Sequence, residues 1–113
     1  MATREDTSAI TLVAGADLSA AQFRFVKVNS SGYAVLAGAG EKAAGVLAND
    51  PLDGQAGTVD VGGVSKVVAG ATVAAGAEVQ SDAAAAATTL NTGKPLGIAL
   101  YGGAAGEIIS VLL

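Results

Sequence analysis

The chain has 113 residues, a net charge of −4, no cysteine and no histidine. That length suits one domain, and the missing side chains exclude disulfides and thiolate metal sites and remove the commonest general base and transition-metal ligand. Only six basic residues are present, and they are scattered, which argues against nucleic acid or an anionic membrane surface as a partner.

Residues 1–8 are polar and of mixed charge, and they read as a flexible N-terminal arm. Residues 9–13 are apolar and β-branched, the first strand signal. Phe23 to Val28 mostly alternates, with Phe23 and Phe25 on one face and Arg24, Val26 and Val28 on the other, so both faces should meet apolar neighbours. Asn29-Ser30-Ser31-Gly32 is a turn, and residues 33–36 return as the hairpin partner. A loop at 38–42 precedes a short strand at 45–48. Asn49-Asp50-Pro51-Leu52-Asp53-Gly54 is the clearest turn in the chain, and Pro51 forbids a helix through it. Residues 58–61 alternate, Gly62-Gly63 should bend the chain, and residues 64–68 form another strand. Strands at 77–80, 96–101 and 107–113 complete the series. Ala83 to Ala87 favour helix by propensity but are too few to hold one in water, so extended or loop structure is expected there, with one helical turn as the alternative.

The second half echoes the first. Val13-Ala14-Gly15-Ala16-Asp17-Leu18 returns as Val68-Ala69-Gly70-Ala71-Thr72-Val73, and Lys42-Ala43-Ala44-Gly45-Val46 returns as Lys94-Pro95-Leu96-Gly97-Ile98. Gly57-Thr58-Val59-Asp60-Val61 resembles Gly106-Glu107-Ile108-Ile109-Ser110-Val111 with one residue inserted. Pseudo-repeats of about 13–67 and 68–113 follow, repeating turns and apolar positions but no reactive side chain, which points to architecture. The expected fold is all-β: a single small barrel or sandwich over residues 9–113 with internally duplicated halves and the arm at 1–8. Its core should be thin, because 26 apolar positions are alanine and the chain has two Phe, two Tyr and 16 Gly. Burial against copies of itself or a larger partner should supplement it.

No chemical motif survives inspection. Gly38-Ala39-Gly40-Glu41-Lys42 lacks the spacing of a dinucleotide fingerprint and the Gly-Lys-Ser/Thr of a nucleotide loop. Asp50 and Asp53 are too few for a calcium loop and serve better as turn residues. Ser65 and Lys66 are adjacent, so on a strand they point to opposite faces and form no nucleophile–base pair. Catalytic, cofactor-binding and metal sites are therefore expected to be absent, and a small-molecule substrate with them. Glu5 and Asp6 stand where a signal peptide would be basic, and no run approaches the roughly 18 apolar residues of a membrane span. A soluble protein made in the cytoplasm is expected.

Residues 62–82 run as a strand, an apolar residue between Gly loops, then a strand ending in Asp. Biotinyl and lipoyl carrier domains resemble this pattern, but they present a lysine on a hairpin tip, and residues 80–90 contain none. A self-assembling surface or fibre module is a further alternative. The chain more closely resembles the small decoration, or cement, proteins of tailed-bacteriophage heads. The likeness rests on Gly45-Val46-Leu47-Ala48, on Gln55 to Val64, on Val68 to Asp82, on Lys94-Pro95-Leu96-Gly97-Ile98-Ala99 and on the terminal apolar strand. It implies a structural protein, commonly a homotrimer, on the outer capsid surface of a virion made in the host cytoplasm, stabilising contacts between subunits of the major capsid protein without any cofactor. The polar arm running into a β-prone segment suits strand addition. Thr3, Arg4, Glu5, Asp6, Thr7, Ser8, Ile10 and Leu12 are the candidate capsid-binding residues, with Thr3 to Ser8 ordering on the capsid and residues 9–13 adding to the edge of a capsid subunit.

Overall fold

The computed structural model describes residues 2–113; Met1, the first residue of the expected arm, lies outside them. Among the described residues nine strands are formed: β1 Glu5–Val13, β2 Phe25–Val28, β3 Ala34–Leu36, β4 Gly45–Leu47, β5 Ala56–Val68, β6 Glu78–Ser81, β7 Ala87–Thr89, β8 Gly97–Tyr101 and β9 Ile108–Leu112. They belong to one antiparallel sheet ordered β3-β2-β4-β5-β9-β8-β6-β7, with β1 paired to β5 outside that path. The all-β expectation holds, in the form of a curled, open half-barrel. Among the described residues no ladder joins β3 to β7, and only the isolated parallel bridges Ala14–Ala34 and Ala69–Ala87 draw each hairpin back toward β1 and β5.

Loops bridge what the ladder leaves open. The Phe25 amide donates to the Ala85 carbonyl at 2.8 Å, and the Gly40 amide donates to the Ser81 carbonyl at 2.8 Å. Ala83 to Ala87 make this approach possible. Asp82 Oδ1 accepts from the amides of Ala84 and Ala86 at 2.8 and 2.9 Å, which holds a tight turn in place of a helix. Ala85, Ala86 and Ala87 are buried there, and a larger side chain would hold the two hairpins apart.

β5 is the spine, and it corrects one expectation. Residues 58–61 and 64–68 are a single thirteen-residue strand, because Gly63, at φ 81°, absorbs the irregularity as a bulge instead of a bend. The β1–β5 register shifts on either side of Ser8, opposite this bulge. Long-range pairing through β5 then divides the interior in two. Phe25, Val46, Val67, Val73, Val79, Ile109 and Val111 pack on one side, and Leu18, Val26, Leu47 and Val59 on the other. Phe25 and Val26 are adjacent and both fully buried, as the two apolar faces of that segment required. Phe23 departs from the expected alternation: its φ of 66° turns it out of the strand, where Lys66 Nζ stands 5.9 Å from its ring centroid.

Candidate functional site

All eight candidate residues lie on or just before β1, so the structure brings them onto one ribbon. β1 pairs antiparallel with β5, from Val13 opposite Ala56 to Glu5 opposite Val64. Its polar N-terminal half joins the ladder because side chains of the body fasten it. The Thr3 amide donates to Ser110 Oγ at 2.6 Å. Arg4 donates from Nε and Nη2 to Asp60 at 2.9 and 2.7 Å, and Ser65 Oγ donates to the same carboxylate at 2.7 Å.

Asp60 is fully buried while the Arg4 side chain remains 40% exposed. A buried carboxylate is tolerable only when paired and hydrogen-bonded, and among the described residues its one cationic partner is Arg4. The hydrogen bond to Asp60 in turn raises the Arg4 pKa above its usual value. Arg4 is thus committed inward, to the protein's own body. Asp60 and Ser65 are the partners that sequence reasoning missed. The available signal was a lone charge inside the otherwise apolar alternation Val59-Asp60-Val61.

The remaining candidates face outward to differing degrees. Glu5, Asp6, Ser8 and Ile10 are exposed, while Thr3, Thr7 and Leu12 are half-buried, Leu12 packing against the second core cluster. Backbone direction matters more than these side chains. The Ala14 amide donates to the Gln55 carbonyl at 2.8 Å, so the amide and carbonyl of Ala14 point at β5. Alternation then turns those of Val13, Thr11 and Ala9 the other way. Apart from the parallel bridge of Ala14 to Ala34 of β3, beside which the Gly15 amide donates to the Ala34 carbonyl at 2.8 Å, no strand among the described residues pairs with that outer edge. Around Ala9 and Thr11 the site therefore offers outward backbone donors and acceptors that no other strand uses among the described residues, with Ile10 and Val13 beside them, 44% and 42% exposed. Among the described residues no group of three or more acidic, His or Cys side chains could hold a metal ion.

A family model described as "Phage cement protein" matches residues 3–113. No curated protein sequence matches the chain. Among solved structures, the head fiber gp8.5 N base in bacteriophage phi29 has the same fold, with a TM-score of 0.77, 14% sequence identity, and coverage of 95% of this chain and 93% of that one.

Proposed function

We propose, from the premise that this chain belongs to the phage cement protein family, that it clamps neighbouring subunits of the major capsid protein by accepting a capsid strand on the outer edge of β1. Family membership makes it a non-enzymatic structural protein of the phage virion, associated with the capsid. The finer reading rests on the free edge itself. Soluble proteins usually blunt an edge strand with lysine, proline, a short length or a covering loop. β1 is nine residues long, contains neither lysine nor proline, and is exposed along most of its length.

In this reading residues 1–8 are an N-terminal arm latched to a β domain of residues 9–113, and Arg4 is the latch. The arm stays on β5 when the capsid binds, since lifting it would strand the Asp60 carboxylate. Main-chain pairing supplies affinity, and Ile10 and Val13 supply apolar contact, Leu12 being held against the core. The protein acts as a homotrimer on the outer surface of the head, where many modest contacts gain avidity from the lattice and stabilise the assembled shell by mass action.

Duplication of the halves belongs to the same proposal. Hairpin β2–β3 corresponds to β6–β7, and the parallel bridge Ala14–Ala34 corresponds to Ala69–Ala87. Gly45 and Gly97 each lie against a carbonyl of the neighbouring strand, that of Asp60 and that of Leu112.

Thr11→Pro tests the edge. The Thr11 amide faces outward, so proline removes a donor that the fold does not use, and edge strands tolerate proline. The variant should unfold at nearly the wild-type temperature yet bind undecorated heads at least about tenfold more weakly, a loss of about 1.4 kcal/mol. Unchanged affinity would place the capsid contact elsewhere.

A further inference from the structure

The turn between β4 and β5 carries the most exposed large apolar side chain among the described residues, Leu52 at 51%. Slack does not explain it. Pro51 is buried and its carbonyl accepts from the Leu18 amide at 3.0 Å. The Leu52 amide donates to Gln55 Oε1 at 2.8 Å, and its carbonyl accepts from the Gln55 amide at 3.0 Å. Asn49 fastens the base of the turn, accepting from the Thr58 amide at 2.9 Å. The backbone is held firmly while Leu52 is held out. Asp50 and Asp53 flank it, both exposed, and neither side chain forms an ion pair or hydrogen bond among the described residues.

At the other end of β4, a concavity of about 230 Å³ opens between Phe25, Ala43, Gly45, Val61, Leu96 and Leu113. Lys42 lines it too, and Lys94 adjoins its Pro95 wall. The two lysine-bearing loops are tied together by the Lys94 amide, which donates to the Gly40 carbonyl at 3.0 Å. Lys27, also nearby, is occupied by Glu41 at 2.9 Å. Lys42 and Lys94 are exposed and form no ion pair among the described residues.

The chain therefore carries a rigid apolar knob between two free aspartates, and an apolar socket beside two free lysines, at opposite ends of one strand. We infer that Leu52 of one copy seats in the Phe25–Leu96 concavity of the next, with Asp50 and Asp53 against Lys42 and Lys94. Charge complementarity selects a second copy as the occupant, because this chain supplies both halves of the contact. Such a contact is heterologous: it repeats head to tail and closes into a ring where the rotation allows. The inference rests on the self-association part of the proposed function and is independent of the β1 edge.

Sedimentation velocity over a concentration series tests it. Wild-type protein should self-associate, and more weakly at 1 M salt, where screening falls to about 3 Å. Leu52→Asp should weaken association by about 30-fold or more, the effect of truncating an interface anchor, with the wild-type circular dichroism spectrum kept because Leu52 contributes little to the core. Asp50→Lys with Asp53→Lys should act in the same direction, and adding Lys42→Asp with Lys94→Asp should restore assembly. A Leu52→Asp variant that assembles like wild type overturns this contact and leaves self-association standing. A wild type that is monomeric at every concentration overturns both. Normal assembly with loss of head binding in Leu52→Asp would assign the knob to the capsid and overturn the second-copy reading.

Discussion

Arg4→Ala should destabilise the isolated protein by about 2–3 kcal/mol, although Arg4 is near the chain terminus and its side chain is 40% exposed. Its guanidinium makes two hydrogen bonds to one fully buried carboxylate. Removing the partner of a buried charge typically costs about 3–5 kcal/mol, and the lower figure here allows for solvent at the arginine end. Ser65 would remain as a neutral donor, too little to replace a bidentate cation. Urea unfolding of the variant measures the loss. The assignment of cause is checked by adding Asp60→Asn, which removes the buried charge and keeps an acceptor for Ser65. The double variant should recover more than half of the lost stability. A single-variant loss below about 0.5 kcal/mol, the size of an ordinary surface change, would mean that water reaches Asp60 and that the arm is free to leave β5.

Gly45→Ala should cost about 3 kcal/mol or more, placing it among the larger effects seen for single substitutions. Gly45 is buried in a three-residue strand with no exposed position. A Cβ there would fall on the Asp60 carbonyl oxygen, with the Asp60 carbonyl carbon at 2.9 Å and Val59 Cγ1 at 3.1 Å. Backbone cannot rotate aside as a flexible side chain can, so β4 must part from β5. That separation loosens Val46 and Leu47, one in each core cluster. Gly32 supplies the contrast. Its φ is 82° and a Cβ would meet nothing within 4 Å, so Gly32→Ala should cost only the left-handed backbone term, about 1–2 kcal/mol. Equal losses at the two positions by urea unfolding would contradict the close-approach account of the β4–β5 pair.

These residues also explain how far the sequence could be read. Strands with strong alternation, such as β2 and the two halves of β5, were legible because one or both faces meet a core. Phe25 and Val26 required apolar surroundings on both sides and have them. The turn at Asn49 to Gly54 was legible because Pro51 and Gly54 permit little else. The N-terminal half of β1 was not, since Glu5, Asp6, Thr7 and Ser8 have no strand pattern of their own. They are extended because β5 offers a backbone edge and Arg4 reaches Asp60, a contact across 56 residues of chain. The bulge at Gly63 was misread as a bend for a related reason: a Gly pair announces an irregular backbone, but only the partner strand decides whether pairing continues through it. Likewise, alternation reports that a sheet has an inside, not whether its ends meet. The Ala85 and Ser81 carbonyls accept hydrogen bonds from the opposite hairpin region, and that loop bridging, invisible in the pattern, accompanies a sheet that stays open.

The candidate site divides in the same way. The sequence reading put it on the N-terminal segment from polarity followed by β-propensity, and the structure gathers those residues on or just before β1. Its division of labour was not, because Arg4 reads as an exposed basic residue until Asp60 is found beneath it. The segment emerges as a fixed strand with one edge paired to β5 and the other unpaired around Ala9 and Thr11 among the described residues. In the proposed function the docking strand is already extended, so binding would lose less conformational entropy than ordering a loose tail.

The central claim is that this protein cements a phage head, and the most direct measurement is co-sedimentation of the purified protein with undecorated heads, quantified as copies bound per shell. The account predicts saturable binding at a copy number set by the lattice symmetry, and heads that resist heat or chelation better once saturated. Binding that never saturates, or a complete absence of binding to heads that lack only this protein, would contradict it.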